Sequence, residues 1–340
     1  MVWCIAKAER LLDAARLGHG SRVREGDNKG EYFMIIDRRS ILLGSAAIAL
    51  SGCVPKVSGS SPLLPNAELA ELEAKAGGRL GAFILDTASG KMTGHRFDER
   101  FGMCSTFKMG LAAAALQRAD NGLLDLETVL PYTTADLIAN SPVTTDNVGK
   151  GGMSIVALAE AMQKTSDNTA ANVLMRNLGG PAGLTEIFRS WNDAVTRFDR
   201  YEPEMNNVPP GEIRDTTSPM AFARTTARLL TTDNILRPAT RERLIQWMID
   251  TETGTERIRA GLPRSWRAGD KTGTGWGASY NNKTNDVAIF WPPSRPPVIV
   301  TAYYEADGKY DEIRDVDQAV LAEVGRIAAA QAVEWHGGLD

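Results

Sequence analysis

Ser105-Thr106-Phe107-Lys108 opens an Ala- and Leu-rich run that reads as a helix over 107–118. Ser105 then stands at the helix start with Lys108 three positions on, and residues three apart share a helix face. A serine hydroxyl is a weak nucleophile that needs an adjacent base. A lysine can be that base if its surroundings depress its pKa. The helix start also presents N–H groups that could hold an oxyanion. Alone, the tetrapeptide is a weak signal, because a capping serine before any helix reads the same way. Its meaning depends on what the rest of the chain supplies.

The chain has 340 residues, 43% apolar and 24% charged, enough for one large domain or two intimately packed ones with a full core, as in an ordinary globular protein. A net charge of −4 with no basic run argues against a nucleic-acid partner. The cysteines are Cys4, Cys53 and Cys104, and the histidines His19, His95 and His336. They form no Cys-x-x-Cys pair and no His-Glu-x-x-His motif, so neither a metal nor another cofactor is expected. With His19 and His336 near the ends and His95 in a hairpin, a hydrolytic base has to be sought among Lys and Glu.

Residues 34–53 carry a charged start with Arg38-Arg39, about a dozen apolar residues, and Leu50-Ser51-Gly52-Cys53. The run is too short to span a bilayer, which takes ~20 apolar residues. It resembles a twin-arginine export signal ending in a lipoprotein box, with Cys53 as the lipid attachment and the new N-terminus. The expected location is the periplasm or cell envelope, with that lipid as the sole membrane contact. The competing reading is a buried helix with an incidental cysteine. Residues 1–33 fit a signal badly; translation from Met34 or a genuinely long leading region would each account for them. Residues 54–65 read as a tether.

From residue 66 to 335 the pattern is α+β. Asn66 caps a helix that Gly77-Gly78 ends, and Leu80–Asp86 and Lys91–Phe97 flank a turn. A helical middle follows: Phe107–Arg118, Ser154 to about Lys164, Thr169–Asn177 stopping at Gly179-Gly180, a helix opened by Ser218-Pro219, and Arg241–Asp250. Strands return at Asp286–Trp291 and Pro297–Tyr304, before a last helix over about Asp315–Glu334. Strands from both ends must meet in one sheet, giving a sheet-and-helix part (about 66–99 and 252–335) and an all-helical part (about 100–251).

Three further stretches bear on Ser105. Ser166-Asp167-Asn168 lies in the break between two helices. Lys271-Thr272-Gly273 begins a strand and continues into Thr274-Gly275. Arg200-Tyr201-Glu202-Pro203-Glu204-Met205-Asn206, followed by Pro210-Gly211-Glu212-Ile213-Arg214-Asp215-Thr216-Thr217, is long, rich in Pro and without helical periodicity, as an omega loop would be.

In this order and spacing the set resembles class A serine β-lactamases, within the wider group that includes penicillin-binding proteins. The resemblance spans about 66–335. It extends to Phe101-Gly102-Met103-Cys104, Asn140-Ser141-Pro142-Val143 and Arg257-Ile258-Arg259-Ala260-Gly261, in a pattern similar to actinobacterial enzymes. It implies a five-stranded antiparallel sheet flanked by the N- and C-terminal helices, an all-helical subdomain, and an active site between them. The implied reaction is β-lactam hydrolysis by a monomer through an ester on Ser105. Lys108, or Glu202 acting through water, takes the proton; N–H groups of Ser105 and Thr274 form the oxyanion hole; Ser166 protonates the leaving nitrogen. Glu202 and Asn206 hold the hydrolytic water, and an Arg200–Asp215 pair closes the loop's neck. Asn168, Lys271, Thr272, Gly273 and Thr274 bind substrate, with Arg257 helping hold its carboxylate. A D-Ala-D-Ala peptidase would share the three short motifs without the omega loop, and a penicillin-binding sensor would lack Glu202.

Two departures stand out. Asn140 occupies a position where many relatives carry an aromatic, and Trp276-Gly277-Ala278-Ser279-Tyr280 is an unusual continuation of the Lys-Thr-Gly strand. Some carbapenem-hydrolysing relatives bridge the cysteine before the nucleophile to one just past that strand. Gly275 stands there in this chain, so Cys104 is expected to be a free, buried thiol.

Overall fold

The computed structural model describes residues 63–337; the leader and Cys53 lie outside them. The first elements are β1 (Leu64–Pro65), α1 (Ala67–Ala76), β2 (Arg79–Asp86), β3 (Met92–His95) and β4 (Phe101–Gly102). Asn66 caps α1, its side chain accepting the N–H of Leu69, and Gly77 closes it in the left-handed conformation (φ 78°). The helical middle holds α2 (Phe107–Asp120), β5 (Val129–Pro131), α3 (Pro142–Asn147), β6 (Gly152–Ser154), α4 (Ile155–Lys164), α5 (Asn168–Asn177) and α6 (Gly180–Ser190). Next come β7 (Thr216–Thr217), α7 (Pro219–Thr231) and α8 (Pro238–Ile249). The chain returns through β8 (Arg267–Gly277), β9 (Tyr280–Trp291) and β10 (Val298–Glu305) to α9 (Asp315–Trp335).

The sheet order is β1-β3-β2-β10-β9-β8. The five antiparallel strands are those expected. The addition is β1, which pairs parallel with β3 (Leu64 opposite Thr93), so the tether reading fails at its last two residues. Alternation explains both faces of the sheet. Leu80, Ala82 and Ile84 of β2, with Val298, Val300 and Ala302 of β10, face the core shared with α1 and α9. Phe83, Ile299 and Tyr303 face the opposite core, which continues into the helical middle.

Residues 107–116 of α2 are all buried, as befits the central helix of its layer. Ser154 and Ser218 cap α4 and α7 as their positions predict. Gly179-Gly180 does more than stop α5: Gly179 is also the N-cap of α6, a helix the sequence reading missed. Strand β9 starts at Tyr280, six residues before the apolar segment that announced it. Polar residues fill that extra length and defeat the alternation test. Among the described residues no helix is long and apolar enough to cross a membrane, and no three His, Cys, Asp or Glu side chains could hold a metal ion.

Candidate active site

A cleft of about 610 Å³ opens where the Ser105 turn, the Ser166 loop, the omega loop and β8 converge. Each element is brought there for a local reason. Ser105 lies in a short turn (Cys104–Thr106) leading into α2. Strand β8 can approach this turn closely because residue 273 is glycine: a Cβ there would sit 2.7 Å from the Met103 carbonyl oxygen. The Asn285 amide pins the same segment by donating to the carbonyls of Gly102 and Met103 (2.9 and 3.1 Å). Ser166 has a left-handed backbone (φ 61°). Such a conformation costs about 1–3 kcal/mol in a non-glycine residue. The Ser166 carbonyl offsets this by accepting from Lys108 Nζ (2.8 Å) and Asn140 Nδ2 (3.1 Å). Asp167 caps α5 through the Ala170 N–H and accepts from the Thr144 N–H (2.8 and 2.9 Å). Asn140 therefore serves the Ser166 loop rather than supplying an aromatic wall.

The expected catalytic side chains meet. Lys108 Nζ donates to Ser105 Oγ at 2.9 Å and also to Asn168 Oδ1. Ser105 Oγ in turn donates to Glu202 Oε1 at 3.3 Å, and Lys108 Nζ lies 3.4 Å from the same oxygen. The Lys108 and Glu202 side chains are fully enclosed. Burial pulls the Lys108 ammonium below the usual lysine range, and the Glu202 carboxylate opposes that shift. Lys271, also buried, is lowered well below the ordinary value by desolvation and then by the charge of Lys108. Ser166 Oγ accepts from Lys271 Nζ (3.1 Å) and lies 3.4 Å from Lys108 Nζ, whose three protons have closer acceptors in Ser105 Oγ, Asn168 Oδ1 and the Ser166 carbonyl. A hydroxyl has two lone pairs and one proton. The close polar neighbours of Ser166 Oγ are donors, so the Ser166 O–H can donate into the cleft.

Glu202 is held from two sides. Its carboxylate accepts from Asn206 Nδ2 (2.6 Å), and its backbone is clamped by Asn172, which accepts its N–H (3.0 Å) and donates to its carbonyl (2.8 Å). The Glu202–Pro203 peptide is cis. At the neck, Asp215 accepts from Arg200 Nε (2.6 Å) and from the N–H groups of Asp199 and Arg200 (2.7 and 3.0 Å). Its own carbonyl accepts the Met103 N–H (3.2 Å), and β7 pairs with β4, so the neck is tied to the strand that leads to Ser105.

At the other end Arg257 is 3% exposed. It donates to the carbonyls of Gly273 (2.9 Å) and Asn285 (2.8 Å) and to Thr274 Oγ1 (2.7 Å). Its guanidinium is thus largely committed to the protein and orients the Thr274 hydroxyl. Cys104 is a free buried thiol, pushed up to about 12 by burial. Sequence reasoning missed several neighbours. Thr253 shares a hydrogen bond with Thr272 (2.6 Å), Gln318 of α9 meets Arg257 (3.5 Å), and buried Asp286 accepts the Ile258 N–H (3.1 Å). Asn172 was findable, since it lies one helical turn beyond Asn168 on the same face.

This geometry defines a serine acyl-transfer site with an omega-loop carboxylate, and comparison gives it a family. A model of the β-lactamase enzyme family matches residues 65–332. The chain belongs to that family and is a class A serine β-lactamase. It is 43% identical over 307 residues to β-lactamase L2 of Stenotrophomonas maltophilia, covering 87% of this chain and 98% of that protein. It is 40% identical to a β-lactamase of Mycobacterium tuberculosis, covering 86% and 96%. Among solved structures, an ancestral class A β-lactamase superposes with a TM-score of 0.73 at 50% identity, covering 78% of this chain and 98% of that one.

Proposed function

We propose that this enzyme opens β-lactams in two steps on one serine. The lactam carbonyl lies between the N–H groups of Ser105 and Thr274, which receive the charge that develops on oxygen. The substrate carboxylate faces Lys271, Thr272 and the hydroxyl that Arg257 orients, a cation with hydroxyl donors suited to an anion. Ser105 Oγ attacks, its proton passes to the Lys108–Glu202 pair, and Ser166 donates to the departing ring nitrogen. Glu202 then deprotonates water to hydrolyse the ester. Asn206 Oδ1 is buried and accepts no hydrogen bond from the protein, which suits it to orient that water.

The observation that carries this reading is the placement of Ser105 Oγ within reach of both Lys108 Nζ and Glu202 Oε1 (2.9 and 3.3 Å). One base suffices to acylate; a second carboxylate on the water side suits release. A peptidase or a sensor needs only the first. A chromogenic cephalosporin decides: many turnovers per protein are expected, and a single stoichiometric burst would refute hydrolysis. The working unit in this proposal is a monomer, exported by the leader at 34–53 and lipid-anchored through Cys53. Intact mass of the membrane-bound form should show a diacylglyceryl addition on Cys53, and a product cut elsewhere would dismiss the anchor.

A further inference from the structure

A second cavity, of about 550 Å³, lies where residues 210–213 of the omega loop meet the α1–β2 turn and the end of β10. It shares no lining residue with the catalytic cleft. Its volume falls in the ~300–1,000 Å³ range of small-molecule sites. Two arginines line it. Arg79 is fully committed: Nε donates to Glu305 (2.8 Å), and the terminal nitrogens to Glu99 (3.0 Å) and the Arg100 carbonyl (2.9 Å). Arg100 is not. One of its terminal nitrogens donates to the Val195 carbonyl (3.1 Å) and to Thr216 Oγ1 (2.9 Å), both uncharged. A guanidinium has five N–H groups, and the other three of Arg100 have no acceptor among the described residues. Burial, then the charges of Arg197 and Arg189, pull Arg100 below the usual arginine range; Asp193 and Asp199 oppose that shift without bonding to it. The carboxylates in the wall are taken: Glu305 by Arg79, Glu212 by Arg214 Nε (2.9 Å), and Asp307 by the Tyr310 hydroxyl (2.9 Å) and Arg314 (3.4 Å). The apolar share of the wall includes Ile213, which is 51% exposed. A large aliphatic group left in a concave surface marks a contact for something else.

An unpaired cation and an exposed aliphatic side chain in one cavity select a ligand with an anionic end and an apolar body. One free guanidinium among three carboxylates favours a single negative charge over two, because the second would meet like charges. We propose that this cavity is a second binding site, for a small aryl or alkyl monocarboxylate: its carboxylate takes the free Arg100 N–H groups and its apolar body covers Ile213. The site bears on the omega loop. Thr216 Oγ1, which accepts from Arg100, donates to the Ile213 carbonyl (2.6 Å), and Thr216 pairs with Gly102 of β4, on the path to Ser105. A ligand held by Arg100 and Ile213 therefore fastens this limb of the loop to β4 and slows hydrogen exchange over residues 210–216.

The probe is 1-naphthoate, with 1-naphthamide as its neutral twin. Each is titrated into the whole protein by calorimetry, and hydrogen exchange is followed by mass spectrometry. 1-Naphthoate should protect residues 210–216 and leave KM for a chromogenic cephalosporin within about twofold, since the cleft stays open. The amide should bind about tenfold more weakly, as expected for loss of a charge-assisted hydrogen bond. Arg100→Gln should weaken 1-naphthoate by about the same factor. Because Arg100 also braces Val195 and Thr216, Ile213→Asp is a second variant. Its site is exposed, so the fold is kept, and the added carboxylate should repel the anion about tenfold. Inorganic phosphate should not displace 1-naphthoate; displacement would show a bare anion site and overturn the ligand class. Equal binding of acid and amide, or equal binding by wild type and both variants, would overturn the proposal. So would exchange protection confined to the cleft with competitive inhibition.

Discussion

Replacing Glu202 with alanine separates the two halves of the reaction. The substitution removes a carboxylate that touches Ser105 Oγ at 3.3 Å, Lys108 Nζ at 3.4 Å and Asn206 Nδ2 at 2.6 Å. It leaves in place the two Asn172 bonds, because both go to the Glu202 backbone. The omega loop should therefore keep its seat. Lys108 loses the charge that opposes its desolvation, so its pKa falls further and a larger fraction is neutral. Acylation through Lys108 should persist, while no group remains to take a proton from the attacking water. General-base catalysis contributes ~10²–10⁴-fold. A midpoint of 10³ corresponds to about 4 kcal/mol of barrier. The assay is intact-protein mass spectrometry after mixing with a penicillin, beside steady-state turnover. One drug per protein should persist on the Ser105 peptide while kcat falls about a thousandfold; Ser105→Ala should carry no adduct. Turnover within about tenfold of wild type would refute the role given to Glu202. Loss of both turnover and adduct would show that Lys108 cannot acylate without it.

Arg257→Ala leaves two buried carbonyls without their donor and frees the Thr274 hydroxyl, a loss of about 1.5–3 kcal/mol. KM for penicillins should rise more than kcat falls, and the melting temperature should drop by a few degrees. An unchanged KM would show that the carboxylate is anchored elsewhere. The Cys104 thiol, pushed up to about 12 by burial, should resist alkylation in the folded protein at mildly alkaline pH and react once unfolded, as read on its own peptide. A Cβ at Gly275 would lie 2.9 Å from Cys104 Sγ. Gly275→Cys should therefore bond to Cys104 on oxidation, and non-reducing peptide maps that found both thiols free would contradict the geometry. Burial alone would raise Glu73, but bonds from Arg96, the Leu80 N–H and His95 hold it at about 2 against an unfolded 4.5. Its stabilisation, about 2–3 kcal/mol, should be fully present above pH 4.5 and lost as pH falls toward 2. Glu73→Gln should flatten that acid limb of the unfolding curve, and an identical limb would exclude the cluster as its cause.

Much of this was legible before any coordinates, because it depends on neighbours in the chain. Asn66, Ser154 and Ser218 announce helices because a cap is a bond to a backbone N–H three residues on. The two runs flanking the turn at 87–90 announce a hairpin, and apolar strands at both ends of the chain announce one shared sheet. Ser105 and Lys108 meet because three residues make nearly one helical turn. The omega-loop residues were assignable because their order and spacing match a family pattern.

Other features depend on partners far along the chain, and no local rule reaches them. Residues Asn281 through Asn285 read as too polar for a strand, yet most are buried, and the Asn285 amide finds its acceptors in the carbonyls of Gly102 and Met103. Arg257 was legible as a cation near substrate, but its bonds to Gly273, Asn285 and Thr274 exist only once β8 and β9 pair. Asn140 became a brace for Ser166 instead of a gap in a wall, and Ser279 reached Asn207 from 72 residues away. Local hydrogen bonding and period let the sequence by itself determine most of the helices and the strands of the apolar core, and the order and spacing of the motifs singled out Ser105 as the candidate nucleophile. Tertiary structure alone decided how the buried polar groups are satisfied, because each needs a partner delivered by another element, and those partners set the charge, the reach and the walls of the site.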